Sequence, residues 1–110
     1  MSMIRVIIFL SILFFPFLVN ASNKSLSNDL ALEAIEVSEK DLDSAIFLIQ
    51  QSVVADPKNA KAWAIAGKIY LLSEDLPSAE RFYKKAKALG PLLKDVKDLE
   101  SLINNKKKEE

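Results

Sequence analysis

Neither cysteine nor histidine occurs anywhere in this chain, and the only two glycines are Gly67 and Gly90. Each absence removes a class of chemistry. Without cysteine there is no disulfide framework, no thiol nucleophile, and no residue to carry the lipid of a bacterial lipoprotein. Without histidine as well, Ser-His-Asp and Cys-His sites, the usual zinc ligands and the commonest general base at neutral pH are all missing. Two isolated glycines do not make a phosphate-cradling loop. An excess of one charge is lacking too. The 15 basic side chains balance 15 acidic ones, so nothing drives bulk nucleic-acid binding, which rests on clustered lysine and arginine. Glu33, Glu36 and Glu39 lie close together but lack the loop-borne oxygen cage that calcium prefers, and a solvated helix face is expected for them. The expectation is therefore no metal, no cofactor and no small-molecule substrate.

Charge is also nearly absent from the first 23 residues, where Arg5 stands alone. Val6 to Val19 is apolar except for Ser11 and Pro16, and Val19-Asn20-Ala21 follows with small or medium residues at its ends. A basic start, an apolar run of about 14 residues and a small-residue exit make a secretory signal peptide over 1–21, cleaved near Ala21. The alternative is an uncleaved membrane anchor, but a spanning helix wants roughly 20 apolar residues. An exported protein follows, periplasmic or secreted, with the periplasm favoured by the Lys-, Asn- and Ile-rich composition. Removal of Arg5 leaves 14 basic and 15 acidic residues, a net charge of −1. With no cross-links, roughly 89 residues must be held by helix packing around one small core.

What the chain does contain is a period. At an offset of 34, Asp41-Leu42-Asp43-Ser44-Ala45 falls on Asp75-Leu76-Pro77-Ser78-Ala79, Leu32 on Ala66, Ile49 on Tyr83, and Pro57 on Pro91. Trp63, Ala66, Gly67 and Tyr70 share one face of a helix; Ala79, Phe82, Tyr83 and Ala86 share the face of another. Small residues at the centre let the two helices approach, and aromatics flank the contact. A glycine inside a helix costs about 1 kcal/mol against alanine, so Gly67 implies a packing reason. Asp41 and Asp75 read as N-caps, Pro77 lies in a first helical turn where its missing N–H does no harm, and Gly90-Pro91 reads as a left-handed cap and stop.

This set, from Trp63 through Ala66-Gly67, Tyr70, Ala79, Tyr83 and Ala86 to Pro91, resembles the tetratricopeptide repeat, whose period is 34. The resemblance implies an all-α antiparallel helix-pair solenoid: a 22–25 linker, a degenerate repeat over 26–59, a second repeat over 60–93, an amphipathic capping helix over 92–103, and a disordered charged tail over 104–110. Asp29, Glu33 and Glu36 stand where the second repeat has Trp63, Gly67 and Tyr70, which suits a terminal repeat with one wetted face. Glu74 replaces the usual turn glycine.

In this family the first helix of each repeat lines a concave groove. The implied groove residues are Leu30, Ala34 and Val37, with Ser27 and Ser38, from one helix, and Lys61, Ala64, Lys68, Leu71 and Leu72 from the other. An apolar floor with two lysines suits a protein or peptide segment bearing some acidic groups. The basic cluster Arg81, Lys84, Lys85 and Lys87 reads as a solvated face in which Glu80 pairs with Lys84. A paired-carboxylate hydrolase would need a deep cleft that a solenoid of this size does not offer, so the reading is a scaffold or adaptor and not an enzyme. Two alternatives stand beside it: a membrane-anchored structural subunit, and self-association, because two repeats fall short of the three usually needed for an independent stack.

Overall fold

The computed structural model describes residues 22–110, which form five α-helices and no strand: α1 Lys24–Ser38, α2 Leu42–Ala55, α3 Ala60–Leu72, α4 Leu76–Leu89 and α5 Lys94–Glu109. The expected signal peptide, 1–21, lies outside the described residues. Among those that are described, no helix is long and apolar enough to cross a membrane. The all-α expectation holds.

Local chemistry sets the helix ends, and it does so twice. The Ser44 N–H donates to Asp41 Oδ1 at 3.2 Å and its hydroxyl to Oδ2 at 2.7 Å. Thirty-four positions on, Ser78 makes the same pair of bonds to Asp75 at 3.1 and 2.6 Å. In both cases the Ser hydroxyl, then the Ser N–H, holds the aspartate below the ordinary carboxylate range. The turns after α2 and α4 repeat as well. Asp56 N–H donates to Ser52 O and Asn59 N–H to Asp56 O; Gly90 N–H donates to Ala86 O and Leu93 N–H to Gly90 O. Pro77 sits in the first turn of α4 as expected.

Several ends differ from expectation. Lys24 and Ser25, read as linker, belong to α1, because Asn23 Oδ1 accepts the Leu26 N–H at 2.9 Å and caps the helix there. Gly90 has φ −155°, extended and not left-handed. The left-handed residue is Glu74, with φ 64°. Asp75 N–H reaches Tyr70 O and Glu74 N–H reaches Leu71 O, the paired bonds that close a helix through a left-handed residue. So a glutamate takes the conformation that glycine adopts most cheaply. Finally, α5 begins at Lys94, not 92, and runs through the segment read as a disordered tail. Lys106 pairs with Glu74 at 3.3 Å and with Glu109 at 3.6 Å, and Lys107 pairs with Glu80 at 3.0 Å. Three lysines in the last turn also complement the helix dipole.

Each helix packs on its chain neighbour within a hairpin, α1 on α2 and α3 on α4. α3 further touches α1 and α2, and α5 touches α3 and α4; no other pair meets among the described residues. Alanine and isoleucine build the interior. One cluster joins Ala31 and Ala34 of α1, Ala45 and Ile49 of α2, and Ile65, Ala66 and Ile69 of α3. A second joins Ala64, Ala79 and Ala86 to Val96, Leu99 and Ile103 of α5. Gly67 lies where three helices converge: a Cβ there would run into Leu99 of α5 and stand 3.4 Å from Ala79 O of α4. The packing reason implied by a mid-helix glycine is thus contact with α5 as much as with α4.

Candidate partner-binding surface

α3 is nearly surrounded. Ala62, Ala64, Ile65, Ala66, Gly67 and Ile69 are all buried, facing α1 and α2 on one side and α4 and α5 on the other. On the remaining face lies a narrow strip, the half-buried Lys61 and Lys68 and the exposed Leu72, spaced i, i+7, i+11. On α1, Asn28, Leu32 and Ile35 (i, i+4, i+7) form the edge toward α3, because Asn59 Nδ2, just before α3, donates to Asn28 Oδ1 at 2.8 Å. On α5, Asp95, Leu102 and Lys106 form the matching strip, fixed beside α3 by the Lys68–Asp95 ion pair at 3.6 Å and by Lys106–Glu74. Two chain reversals separate α1 from α3 and α3 from α5, so the three strips run alongside one another.

The result is a surface carried by the first helix of each hairpin and by α5. It leaves Leu32, Ile35, Leu72 and Leu102 between 41% and 58% exposed. No acid lies within ion-pair distance of Lys61 among the described residues, whereas Lys68 is partly neutralised by Asp95. Such a surface can take an extended or helical segment with apolar anchors and an acidic group near Lys61.

Of the groove residues inferred from sequence, Lys61, Lys68 and Leu72 lie on this surface. Ala34 and Ala64 do not: both are fully buried, the first in the interior shared by α1, α2 and α3 and the second against α4 and α5. Ser27 is likewise buried. Val37 packs on the first cluster and Leu71 on the second, each half-buried, and Leu30 is half-buried on α1. Ser27 and Ala34 miss the surface for one reason. The small-residue stripe Ser27, Ala31, Ala34 is the face α1 turns toward α2, so the open apolar residues lie further round, at Leu32 and Ile35. A stripe of small residues spaced i, i+4, i+7 was the signal that could have shown it.

The aromatics lie along the α3–α4 contact. Phe82 stacks between Trp63 and Tyr70, with ring centroids 5.5 and 4.9 Å apart. Trp63 Nε1–H donates to Pro57 O at 2.7 Å, and Gln50 donates to the Tyr70 hydroxyl at 3.1 Å. All four aromatic residues of this contact, Tyr83 included, are half-buried and flank a core of smaller side chains. Three of the four basic side chains of α4 are committed to neighbours: Arg81 donates to Ser78 Oγ, Lys85 lies over Trp63 and Lys87 over Tyr83. The expected Glu80–Lys84 pair gives way to Glu80–Lys107, because α5 runs on past Ile103 to supply that lysine.

Tyr83 donates its phenol proton to Glu100 of α5 at the edge of a cleft of about 130 Å³ that Glu80 and Ile103 also line. The hydrogen bond to Glu100, then burial, then the glutamate's charge push the Tyr83 phenol up from 10.0 to about 12. A raised folded-state value means that this contact stabilises the fold fully below pH 10 and is lost as pH rises through about 12. Alkaline difference spectroscopy should therefore show Tyr83 ionising near pH 12. Glu100→Gln should bring that step down toward 10, and an unmoved step would mean that Glu100 is not its cause.

Among the described residues no three Asp or Glu side chains gather as metal ligands. Compared with family models, with curated proteins and with solved structures, the chain matches none of them.

Proposed function

We propose that this chain is a small exported interaction module of the tetratricopeptide type, which holds a partner protein segment on the surface formed by α1, α3 and α5. The observation that carries the reading is the row of uncovered apolar residues Leu32, Ile35, Leu72 and Leu102 flanked by Lys61 and Lys68, on the side of the helices turned away from the interior. Buried leucine and isoleucine anchors with a polar rim are what a partner helix or strand requires. The solenoid reading is supported by the 34-residue duplication of cap and turn bonds and by the lack of contact, among the described residues, between the first hairpin and α5. In this reading α5 closes the second repeat and keeps Gly67 and Ala64 from water. Binding, not catalysis, is its activity.

Cross-linking in the native envelope fraction, followed by affinity measurement with the purified partner, tests this. A Leu32→Glu, Leu72→Glu variant, changed only at exposed sites, should keep its helical circular dichroism and lose at least about tenfold in affinity, as expected when two apolar anchors are removed. A Lys84→Ser variant on α4 should bind as the parent does. Equal binding by all three would overturn the surface. Export is tested by the mass of the cellular protein, which cleavage near Ala21 lowers by about 2 kDa; an unshortened chain in the membrane fraction would favour the anchored subunit.

A further inference from the structure

The two most exposed large apolar side chains among the described residues are Leu92, at 82%, and Val54, at 78%. They belong to parts of the molecule that share no contact, the turn leading into α5 and the outer face of α2. Val54 lines an open hollow of about 490 Å³ together with Leu26, Phe47, Gln50, Gln51 and Ala55. Phe47 is 60% exposed and Leu26 47%. Leu92 is a projecting knob and this hollow is an apolar socket, and neither lies on the surface assigned above to a partner.

Their surroundings carry opposite charge. α1 and α2 together bear four acids and one lysine, whereas α4 and α5 bear nine basic residues and five acids. Asp29 and Glu33 follow Leu26 at i+3 and i+7, on its side of α1, and Asp43 precedes Phe47 by four, on its side of α2. In the first turn of α5, just after the knob, Lys94 is paired with Asp98 at 2.8 Å and Asp95 with Lys68, which leaves Lys97 without an acid partner among the described residues. The outer stripe of this helix, Lys97, Ser101, Asn104 and Lys108, is exposed and holds no acid. Socket against socket would bring acids together, and knob against knob would bring the unpaired Lys97 side chains together. Socket against knob joins apolar to apolar and acid to base.

We propose that the Leu26–Phe47–Val54 socket is filled by Leu92 of a second copy of this chain, with Lys97 of that copy facing Asp29, Glu33 and Asp43. The contact is heterologous: each copy uses its socket for one neighbour and its knob for the other. Copies therefore add head to tail rather than stopping at a dimer. The arrangement also covers the apolar outer face of the first hairpin, which nothing in the chain from Ser22 onward covers.

The test uses protein purified from cells expressing the whole chain, followed by sedimentation velocity over about a hundredfold range of concentration. The parent should grow in mass past the dimer as concentration rises. Leu92→Ser and Phe47→Ser, both at exposed sites, should each weaken association at least about tenfold, the consequence of removing one buried apolar contact. Mixing the two variants should restore a dimer and nothing larger, because one keeps only its socket and the other only its knob. Lys97→Glu in the parent background should weaken association, and Lys97→Arg should preserve it. A parent that stays monomeric throughout would overturn the proposal. So would a Leu92→Ser variant that associates like the parent, which would mean that sockets pair with each other, or a mixture that stays monomeric.

Discussion

Gly67→Val should lower the stability of the fold by about 2–3 kcal/mol, the cost of forcing extra atoms into a closed interior, and should loosen α5 from α3 and α4. Position 67 is buried on all sides. Its missing Cβ leaves the space that the Leu99 methyls occupy, and Leu99 itself is fully buried. Valine would add three carbons at the point where α3, α4 and α5 converge, next to Ala79 O. Leu99 cannot swing clear without disturbing the buried cluster it forms with Ala64, Ala79, Ala86, Val96 and Ile103. Urea denaturation measures the loss, and near-ultraviolet circular dichroism of Trp63 and Tyr83 reports the loosening. Gly67→Ala is the sharper comparison. Helix propensity alone would make alanine about 1 kcal/mol more stable, but displacement of Leu99 opposes that gain. If Gly67→Ala shows the full gain, the close approach of α5 is not what requires glycine here.

Ser52→Ala should cost about 1 kcal/mol, more than a surface serine could account for. Ser27 and Ser52 are both fully buried where α1 crosses α2. Ser27 Oγ–H donates to Ser52 O at 2.7 Å, and Ser52 Oγ–H donates to Ser27 O at 2.6 Å. Asn59 Nδ2 donates to Ser27 Oγ at 3.0 Å and to Asn28 at 2.8 Å, and so ties the start of α3 to the same knot. Deleting one hydroxyl removes a buried hydrogen bond and leaves a small unfilled space, while the carbonyl it reached keeps its helical N–H partner four residues on, as Ser52 O keeps the Asp56 N–H. The Ser27→Ala, Ser52→Ala double variant should lose clearly less than the sum of the two singles, since both hydroxyls belong to one network. Additive losses in thermal unfolding would mean that the two serines act independently.

These two sites differ in how far the sequence foretells them. Gly67 is visible as an anomaly, a helix-breaking residue inside an apolar periodic segment, although its partner in α5 is not. The serine knot carries no such mark, because a serine in a helix reads as a neutral surface residue until its neighbour across the interface is known. Asn59 is similar: it is the N-cap of α3, yet makes no side-chain capping bond and turns to α1 instead. Of the candidate surface, Lys61, Lys68 and Leu72 coincide with positions that the resemblance to the tetratricopeptide repeat implies. Leu32, Ile35 and Leu102 were not, since an exposed leucine and a buried one look alike on a single helix.

By itself the amino-acid sequence determined the number of helices, their order, and most of their ends. These depend on contacts within a few residues, such as the Asp41–Ser44 and Asp75–Ser78 bonds and the proline in the first turn of α4. It also determined the 34-residue duplication and the exclusion of cysteine and histidine chemistry. Tertiary structure alone decided which face each helix leaves open. α3 packs against all four other helices, so its apolar residues run nearly all round and its periodicity points to no single buried side. The same holds for the end of α5. Asn104–Glu109 has no apolar residue to mark it as helix, but ion pairs with Glu74 and Glu80 from other parts of the chain hold it against α3 and α4. Burial and long-range pairing are properties of neighbours, and neighbours exist only once the chain has folded.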